Sequence, residues 1–154
     1  MRRLRQWAPA IAWAAVIWLF STQAFTAEAT AGFLLPLLRK LFPHTSLETL
    51  LFLHFLIRKS GHFVEYFIFG LLVFRAIRGE RRGWALRWGL AALVIAAAYA
   101  ALDEFHQSFV PGRTASPWDS LLDTTGALAA QFLAWLYALR GFHREARGMA
   151  DPPR

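Results

Sequence analysis

Four long apolar runs alternate with polar segments along this chain of 154 residues. The runs cover residues 7–25, 60–78, 84–102 and 117–139. Each is close to the roughly 20 apolar residues that a helix needs to cross a bilayer. The pattern predicts an all-α, polytopic membrane protein with four transmembrane helices. They form a single domain over residues 1–147, which a disordered tail, 148–154, follows.

The first run is the one that a signal peptide would also explain. A basic leader of Arg2, Arg3 and Arg5 precedes it, as it does in both kinds of segment. The run contains two tryptophans and lacks a small-residue cleavage signature behind its apolar core. We therefore favour a retained first span.

The segment between the first two runs, residues 26–58, is mixed in polarity. Its apolar clusters are interrupted by Pro36, Pro43 and several charges, and neither cluster is long enough to span a bilayer. We expect one or two amphipathic helices lying on the membrane surface. A purely structural lid over the bundle is the alternative.

Composition supports the membrane class and narrows the chemistry. The chain is 56% hydrophobic with a mean hydropathy of +0.34, above the roughly 45–50% that is usual for soluble domains. Cysteine is absent, which excludes disulfides, a thiol nucleophile and cysteine-based zinc sites. The net charge of +7 does not indicate a nucleic-acid partner, because twelve of the seventeen basic residues flank apolar runs.

The basic residues also predict the orientation. With the leader inside, both termini and the Arg75–Arg87 segment lie in the cytoplasm, and 26–62 and 103–117 lie outside. Twelve basic residues are then inside and five outside, in agreement with the positive-inside rule. We expect a multi-pass protein of the cell membrane with both termini cytoplasmic.

This topology places the polar ends of all four runs at one level. They are Ser21 and Gln23; Lys59, His62 and Glu65; Asp103, Glu104 and Gln107; and Asp119 and Asp123. Ionisable residues at the edge of a membrane are costly unless they have a function. The sequence therefore predicts one polar pocket at the outer leaflet.

Helical spacing orients most of these side chains together. Three sets have members three or four residues apart, namely Lys59, His62 and Tyr66; Asp103 and Gln107; and Asp119 and Asp123. Each set shares one helix face. Glu104 and His106 are expected to point elsewhere, toward lipid headgroups.

His62 is the candidate general base, with Glu65 bordering the same face as its orienting partner. The alternative is a headgroup-level histidine satisfied by water. Three roles are open for Asp119 and Asp123: they share a proton, they bind a cation together with Asp103, or they pair with basic side chains.

Arg113 is the basic residue of the second outer loop, and its planar fork suits a phosphate or carboxylate. It either binds a lipid phosphate beside Lys59 or neutralises the aspartates around it. Ligand types alone would allow a metal among His62 and the aspartates, but no metal-binding spacing is present. We expect neither a metal nor a cofactor.

Two motifs carry a family resemblance: KSGHFVEY at Lys59 to Tyr66, and DEFHQSFVPGRTASPWDSLLDTTG at Asp103 to Gly126. With FSTQ at the end of the first run, the sequence resembles the VanZ-like membrane proteins, named for a teicoplanin-resistance factor. The motif positions implied by the resemblance are Ser21, Gln23, Lys59, His62, Tyr66, Asp103, Glu104, Gln107, Arg113, Ser116 and Asp119.

One position departs from the family pattern. The family usually has asparagine four residues after the last motif aspartate, where this chain has Asp123. The resemblance implies a multi-span membrane protein, linked in some members to glycopeptide resistance, and it implies no settled biochemical activity.

The leading hypothesis is a pocket that binds or modifies an amphiphilic envelope molecule, such as a phospholipid or a lipid-linked cell-wall precursor. Lys59 and Arg113 would hold an anionic headgroup. The catalytic candidates are His62, Asp103, Glu104 and Asp119, and the substrate-binding candidates are Ser21, Gln23, Lys59, Tyr66, Gln107, Arg113, Ser116 and Asp123. The alternatives are a small proton- or ion-coupled transporter and a scaffold without chemistry. A transporter predicts polar residues along the spans, whereas 67–74 and 90–101 are almost wholly apolar.

Overall fold

The computed structural model describes the backbone of residues 2–150 and the side chains of residues 3–140, and in this part of the chain helices joined by short loops are the only regular secondary structure. The helices are α1 (Arg2–Phe20), α2 (Ala27–Leu41), α3 (Leu47–Arg78), α4 (Leu86–Gln107) and α5 (Pro117–Ala150), with a 3₁₀ turn at Gln23–Phe25. The all-α prediction is confirmed. The predicted tail, 148–154, is described only at residues 148–150, which are the last of α5; residues 151–154 lie outside the described residues.

Local sequence signals fix the helix ends. The Thr26 hydroxyl accepts a hydrogen bond from the amide of Ala29 at 3.2 Å, and Ser46 accepts one from Thr49 at the same distance. These side chains satisfy amides that a helix leaves free in its first turn. Gly79 ends α3 with a φ of +61°, a conformation that glycine adopts without a Cβ penalty.

The second helix of the bundle begins earlier than the sequence indicated. We expected a helix start near residue 60, with Lys59 and His62 in its first turns, and this expectation was wrong because α3 begins at Leu47. Its 32 residues extend for about 48 Å. The mixed segment is therefore divided between α2 and the first half of α3, and α2 continues through Pro36.

A helical hairpin results from this division. The loop 42–46 joins α2 to α3, and Thr30 Oγ1 lies 3.1 Å from His54 Nε2 across the two helices. Leu38 and Leu50 are buried near the loop. The hairpin thus buries apolar side chains near its loop and has a polar contact between its helices farther from the loop.

Length and composition identify fewer membrane helices than the four predicted. Among the described residues, α3 and α4 are long and apolar enough to cross a bilayer. A third crossing is added if Arg3–Phe20 and Gln23–Leu41, which meet at an angle of 71°, form one broken span. Four transmembrane helices stay a prediction.

Small residues bring the helices close together. A Cβ atom at Gly126 of α5 would overlap the carbonyl oxygen of Phe63, so only glycine fits where α5 crosses α3. On α4, Ala92, Ala96 and Ala100 are fully buried and four residues apart. These contacts are typical of membrane bundles, in which small residues permit close backbone approach.

The polarity of the bundle is partly inverted relative to a soluble protein. Val94 is 65% exposed and Phe132 56% exposed, whereas Asp103 and Asp123 are 1% and 0% exposed. An apolar exterior and ionisable groups inside are expected for helices surrounded by lipid. The buried carboxylates lie where α4 ends and α5 begins.

Candidate functional site

The site is built around Asp103, near the end of α4. One carboxylate oxygen accepts a hydrogen bond from Ser21 Oγ at 2.5 Å, and the other accepts one from Gln107 Nε2 at 2.8 Å. Ser21 directly follows α1, and Gln107 is the last residue of α4. A buried carboxylate with two donors therefore joins the ends of two helices.

Arg113 extends this network to the break between α1 and α2. Its Nη1 donates to Gln107 Oε1 at 3.0 Å, and its Nη2 donates to the carbonyl oxygens of Phe20 and Phe25. Burial lowers the pKa of the Arg113 guanidinium, because the charged form loses hydration, and the neighbouring charge of Arg58 lowers it further. The carbonyls that the helix break leaves free are thus satisfied by a cation.

Glu104 holds the loop between α4 and α5. Its Oε2 accepts a hydrogen bond from the backbone amide of Ser116 at 2.7 Å, and the residue is 7% exposed. The expectation that Glu104 points toward headgroups was therefore wrong. His106 does point elsewhere, and its ring stacks on Trp18 with the centroids 3.8 Å apart.

Two contacts between a basic and an acidic side chain connect α3 to α5. Lys59 forms an ion pair with Asp119, and both side chains are partly exposed. One turn further along, His62 Nδ1 lies 3.3 Å from Oδ1 of the fully buried Asp123, although the two groups are not aligned for a hydrogen bond. Asp119 and Asp123 thus face different partners, although spacing alone places them on the same face.

A cavity of about 210 Å³ lies beside these groups, between the α1–α2 break, α2 and α3. Its apolar lining comes from Phe20, Phe25, Leu34 and Ile57, and Gly61 also lines it. Its polar lining comes from Ser21, Thr30, Arg58, His62, Glu65 and Arg113. A chamber whose lining combines apolar and charged side chains suits an amphiphile.

All of the predicted site residues except Tyr66 and Gln23 fall into four groups. Ser21, Asp103, Gln107 and Arg113 form one network; Glu104 contacts Ser116; Lys59 pairs with Asp119; and His62 pairs with Asp123. Tyr66 is fully buried one turn beyond His62, and its hydroxyl has no hydrogen-bond partner among the described residues. Gln23 is exposed in the 3₁₀ turn and lies apart from these contacts.

Arg58 is the main residue that the sequence predictions omitted. It lines the cavity, and its Nη1 donates to the carbonyl of Phe25 and to Thr30 Oγ1, both at 2.9 Å. The signal was present in the sequence, because Arg58 precedes His62 by four residues and therefore shares its helix face. By contrast, Lys59 does not line the cavity.

Within the described part of the chain, no group of three or more histidine, aspartate or glutamate residues is arranged to hold a metal ion. The carboxylates present are instead directed at hydroxyl, amide and basic side chains.

Comparison with known protein families identifies a match over most of the chain. The profile of the family described as VanZ/LLP1 matches residues 6–138. The match includes α1 from Gln6 onward, all of α2, α3 and α4, and α5 as far as Ala138. No curated protein and no solved structure matches the chain.

Proposed function

Because the chain belongs to the VanZ/LLP1 family, we propose that it is a VanZ-like integral membrane protein that binds or modifies an amphiphilic envelope molecule. The ligand would be a phospholipid or a lipid-linked cell-wall precursor, which would connect the protein to glycopeptide resistance. The observation that carries the proposal is the 210 Å³ cavity, in which aliphatic and aromatic side chains adjoin Arg58, His62 and Arg113.

The position of the cavity supports an outer-leaflet site. About 20 residues of helix cross the hydrocarbon core, so the half of α3 that ends at Arg78 would enter the membrane near residue 58. The first half of α3 would then project beyond the bilayer and form, with α2, a hairpin over the cavity. The basic residues at the other end of α3, Arg75 and Arg78, favour the cytoplasmic side there.

The relation between α3 and α5 supports four alternating spans. Lys59 and His62 meet Asp119 and Asp123 in the same chain order, so α3 and α5 run parallel. Parallel second and fourth spans are what a four-span protein with both termini in the cytoplasm requires. α5 would cross the membrane with Asp119 and Asp123 at its outer end and Gln131 bonded to Gly70 inside.

The side chains suggest how an amphiphile would be treated. Arg113 would attract an anionic headgroup. Lys59 is already paired with Asp119, so it would contribute mainly to the electrostatic potential around the site. His62 lines the cavity and has Asp123 at its buried nitrogen, which is the arrangement that stabilises a protonated imidazole. If the ligand is modified, His62 is the group that would move the proton, with Asp123 in the orienting role first assigned to Glu65.

A transporter receives less support. Beyond Tyr66 the core of the bundle is mostly apolar and includes Phe69, Val73, Ala92 and Ala96, with Gln131 as a buried polar residue bonded to the backbone of Gly70. An ion crossing this layer would find few polar groups.

Gly61 provides a direct test of the proposed binding. It lines the cavity, and a Cβ atom there would meet no neighbour closer than 4.0 Å, so a side chain can begin at this position without a backbone clash. We expect Gly61→Leu to occupy part of the chamber. Gly32→Leu is the matched control, because Gly32 also lies in a helix and has open space around it.

The measurement is mass spectrometry of lipids that co-purify with each variant from native membranes. We expect the unmodified protein and Gly32→Leu to retain an amphiphile. In Gly61→Leu the amount of bound amphiphile should fall about ten-fold or more, because each 1.4 kcal/mol of lost binding free energy is a factor of ten in affinity. Equal lipid content in all three, with unchanged helicity, would exclude this cavity as the binding site.

A further inference from the structure

Two arginines meet at one atom in the wall of the cavity. Arg58 Nη1 donates to the carbonyl oxygen of Phe25 at 2.9 Å, and Arg113 Nη2 donates to the same oxygen at 3.1 Å. Arg58 lies on α3 and Arg113 on the loop before α5, so the fold brings them together from distant parts of the chain. Two guanidinium groups at this separation repel each other in a partly buried site.

The described residues do not neutralise this pair directly. The ion pair of Lys59 with Asp119 and the contact of His62 with Asp123 lie nearby, and neither includes Arg58 or Arg113. Glu65 is the carboxylate that lines the cavity with them. Further carboxylates act on the arginines from outside the lining, Glu28 and Asp119 on Arg58, and Asp103 and Glu104 on Arg113. Among the described residues, none of these carboxylates forms a direct ion pair with either guanidinium, so an anionic ligand in the cavity could pair with groups that the protein leaves without a direct counter-ion.

Both arginines also keep unused donors. Arg58 uses Nη1 for Phe25 and Thr30, and its Nε and Nη2 form no hydrogen bond with the described residues. The Nε atom of Arg113 is buried and has no partner there. Guanidinium donors of this kind match the oxygens of a phosphate, which they bind in pairs with fixed geometry.

The size of the chamber agrees with this chemistry. A volume of about 210 Å³ equals the space of about seven water molecules in the liquid, which is close to a phosphate group with its first carbons. Two of the apolar lining residues, Leu34 and Ile57, come from the α2–α3 hairpin, which also has exposed apolar residues such as Phe55 and Leu56. Acyl chains would continue along that surface.

From this geometry we infer that Arg58 and Arg113 form a phosphate site, and that the molecule held in the cavity is a phosphate-bearing lipid. The inference rests on the proposed function, since it names the headgroup of the same ligand. It replaces Lys59 with Arg58 as the partner of Arg113.

The test compares two lipids that differ only in the phosphate. Binding of dioleoyl phosphatidic acid and of dioleoylglycerol to the purified full chain would be measured by native mass spectrometry in detergent. We expect the phosphatidic acid to bind about ten-fold more tightly or better, the effect of one or two charge-assisted hydrogen bonds. Equal binding would overturn the phosphate site and leave the proposed function intact. Binding of neither lipid would overturn the proposed function and, unless inorganic phosphate binds, the phosphate site as well.

Variants of Arg58 assign the effect to the site. Arg58→Gln keeps an amide donor for Phe25 but removes the charge. It should weaken the binding of phosphatidic acid about ten-fold and leave the binding of dioleoylglycerol unchanged. Arg58→Lys keeps the charge but lacks the planar guanidinium. Its affinity for phosphatidic acid should lie between those of the unmodified protein and Arg58→Gln. Arg39→Gln, an exposed residue on α2, is the control and should bind both lipids as the unmodified protein does.

Two outcomes distinguish the remaining possibilities. Unchanged phosphatidic acid affinity in Arg58→Gln would confine this arginine to capping the Phe25 carbonyl and would overturn the inference. Inorganic phosphate provides the second probe: its binding with the same dependence on Arg58, in the absence of any lipid binding, would support a phosphate site but overturn an amphiphile as its ligand. If Arg58→Gln fails to fold, the comparison of the two lipids on the unmodified chain still decides.

Discussion

His62 Nδ1 lies 3.3 Å from Asp123 Oδ1 across the contact between α3 and α5, and Asp123 is fully buried there. Neither carboxylate oxygen of Asp123 has a hydrogen-bond partner among the described residues. A buried carboxylate in this condition is costly to the fold. Asp123 lies beside a histidine that lines the cavity, which suggests that this destabilising carboxylate is kept for function. Functional sites commonly contain residues that lower the stability of the fold.

We therefore expect Asp123→Asn to stabilise the protein. The amide keeps the volume and removes the buried charge, so the free energy of unfolding should rise by about 1 kcal/mol, the order of one poorly satisfied buried group. This is also the residue that the family resemblance implies at this position. Thermal unfolding in detergent, followed by circular dichroism, measures the change, and a clear loss of stability would contradict this view of Asp123.

Asp119→Asn should behave differently, because its ion pair with Lys59 is partly exposed. Pairs of this kind contribute about 0–1 kcal/mol, so we expect a small decrease in stability. Lys59→Gln provides the partner control and should produce a similar decrease. If the two aspartates instead shared a proton, Asp119→Asn and Asp123→Asn would shift the unfolding midpoint in the same direction.

The hydroxyl of Ser21 should be essential to the network around Asp103. Ser21→Ala removes one of the two donors to a carboxylate that is 1% exposed. Leaving a buried acceptor unsatisfied costs about 1–3 kcal/mol, and more when it is charged. We expect a loss of that size in unfolding by sodium dodecyl sulfate.

Ser108→Ala is the matched control for Ser21. Ser108 is exposed at the end of α4, and its hydroxyl donates only to the carbonyl of Phe105. Its removal should change the free energy of unfolding by less than about 0.5 kcal/mol, as for most surface substitutions. Equal losses from the two serines would show that burial of Asp103 does not determine the effect.

The close crossing of α3 and α5 leads to a prediction about glycine. Gly126→Ala places a Cβ atom onto the carbonyl oxygen of Phe63, so backbone must move, and the cost should be about 1–3 kcal/mol or greater. Gly32→Ala meets no neighbour within 4 Å and should stabilise α2 by up to about 1 kcal/mol. Both are measured by thermal unfolding, and similar results for the two glycines would argue against this helix crossing.

Much of the site followed from polarity and spacing, and the misses have identifiable physical causes. Ser21, Asp103 and Gln107 were predicted at one level, and they form one hydrogen-bonded network. The start of α3 was placed too late because His54, Arg58 and Lys59 interrupt its apolar pattern. A helix that extends beyond the bilayer can carry such residues, and hydropathy does not detect where it begins.

Contacts between side chains on different helices were the second feature that the sequence did not predict. Asp119 and Asp123 share a face by spacing, but only the register of α5 against α3 gives them Lys59 and His62 as separate partners. Arg58 was counted simply as one of the outer charges, because nothing local to it indicates that Phe25 lies within reach. Such contacts depend on the bend between α1 and α2, which the sequence marks only by a few polar residues.

Orientation in the membrane determines whether the cavity faces the envelope, and single cysteines test it directly because the chain has none of its own. His44→Cys lies in the exposed loop between α2 and α3, and Arg82→Cys in the exposed loop between α3 and α4. With the basic loop inside, a membrane-impermeant maleimide should label intact cells at residue 44 only. Permeabilised cells should be labelled at both positions, which controls for reactivity. Labelling of intact cells at residue 82 but not at residue 44 would show that the cavity faces the cytoplasm, and it would exclude a ligand from the outer leaflet.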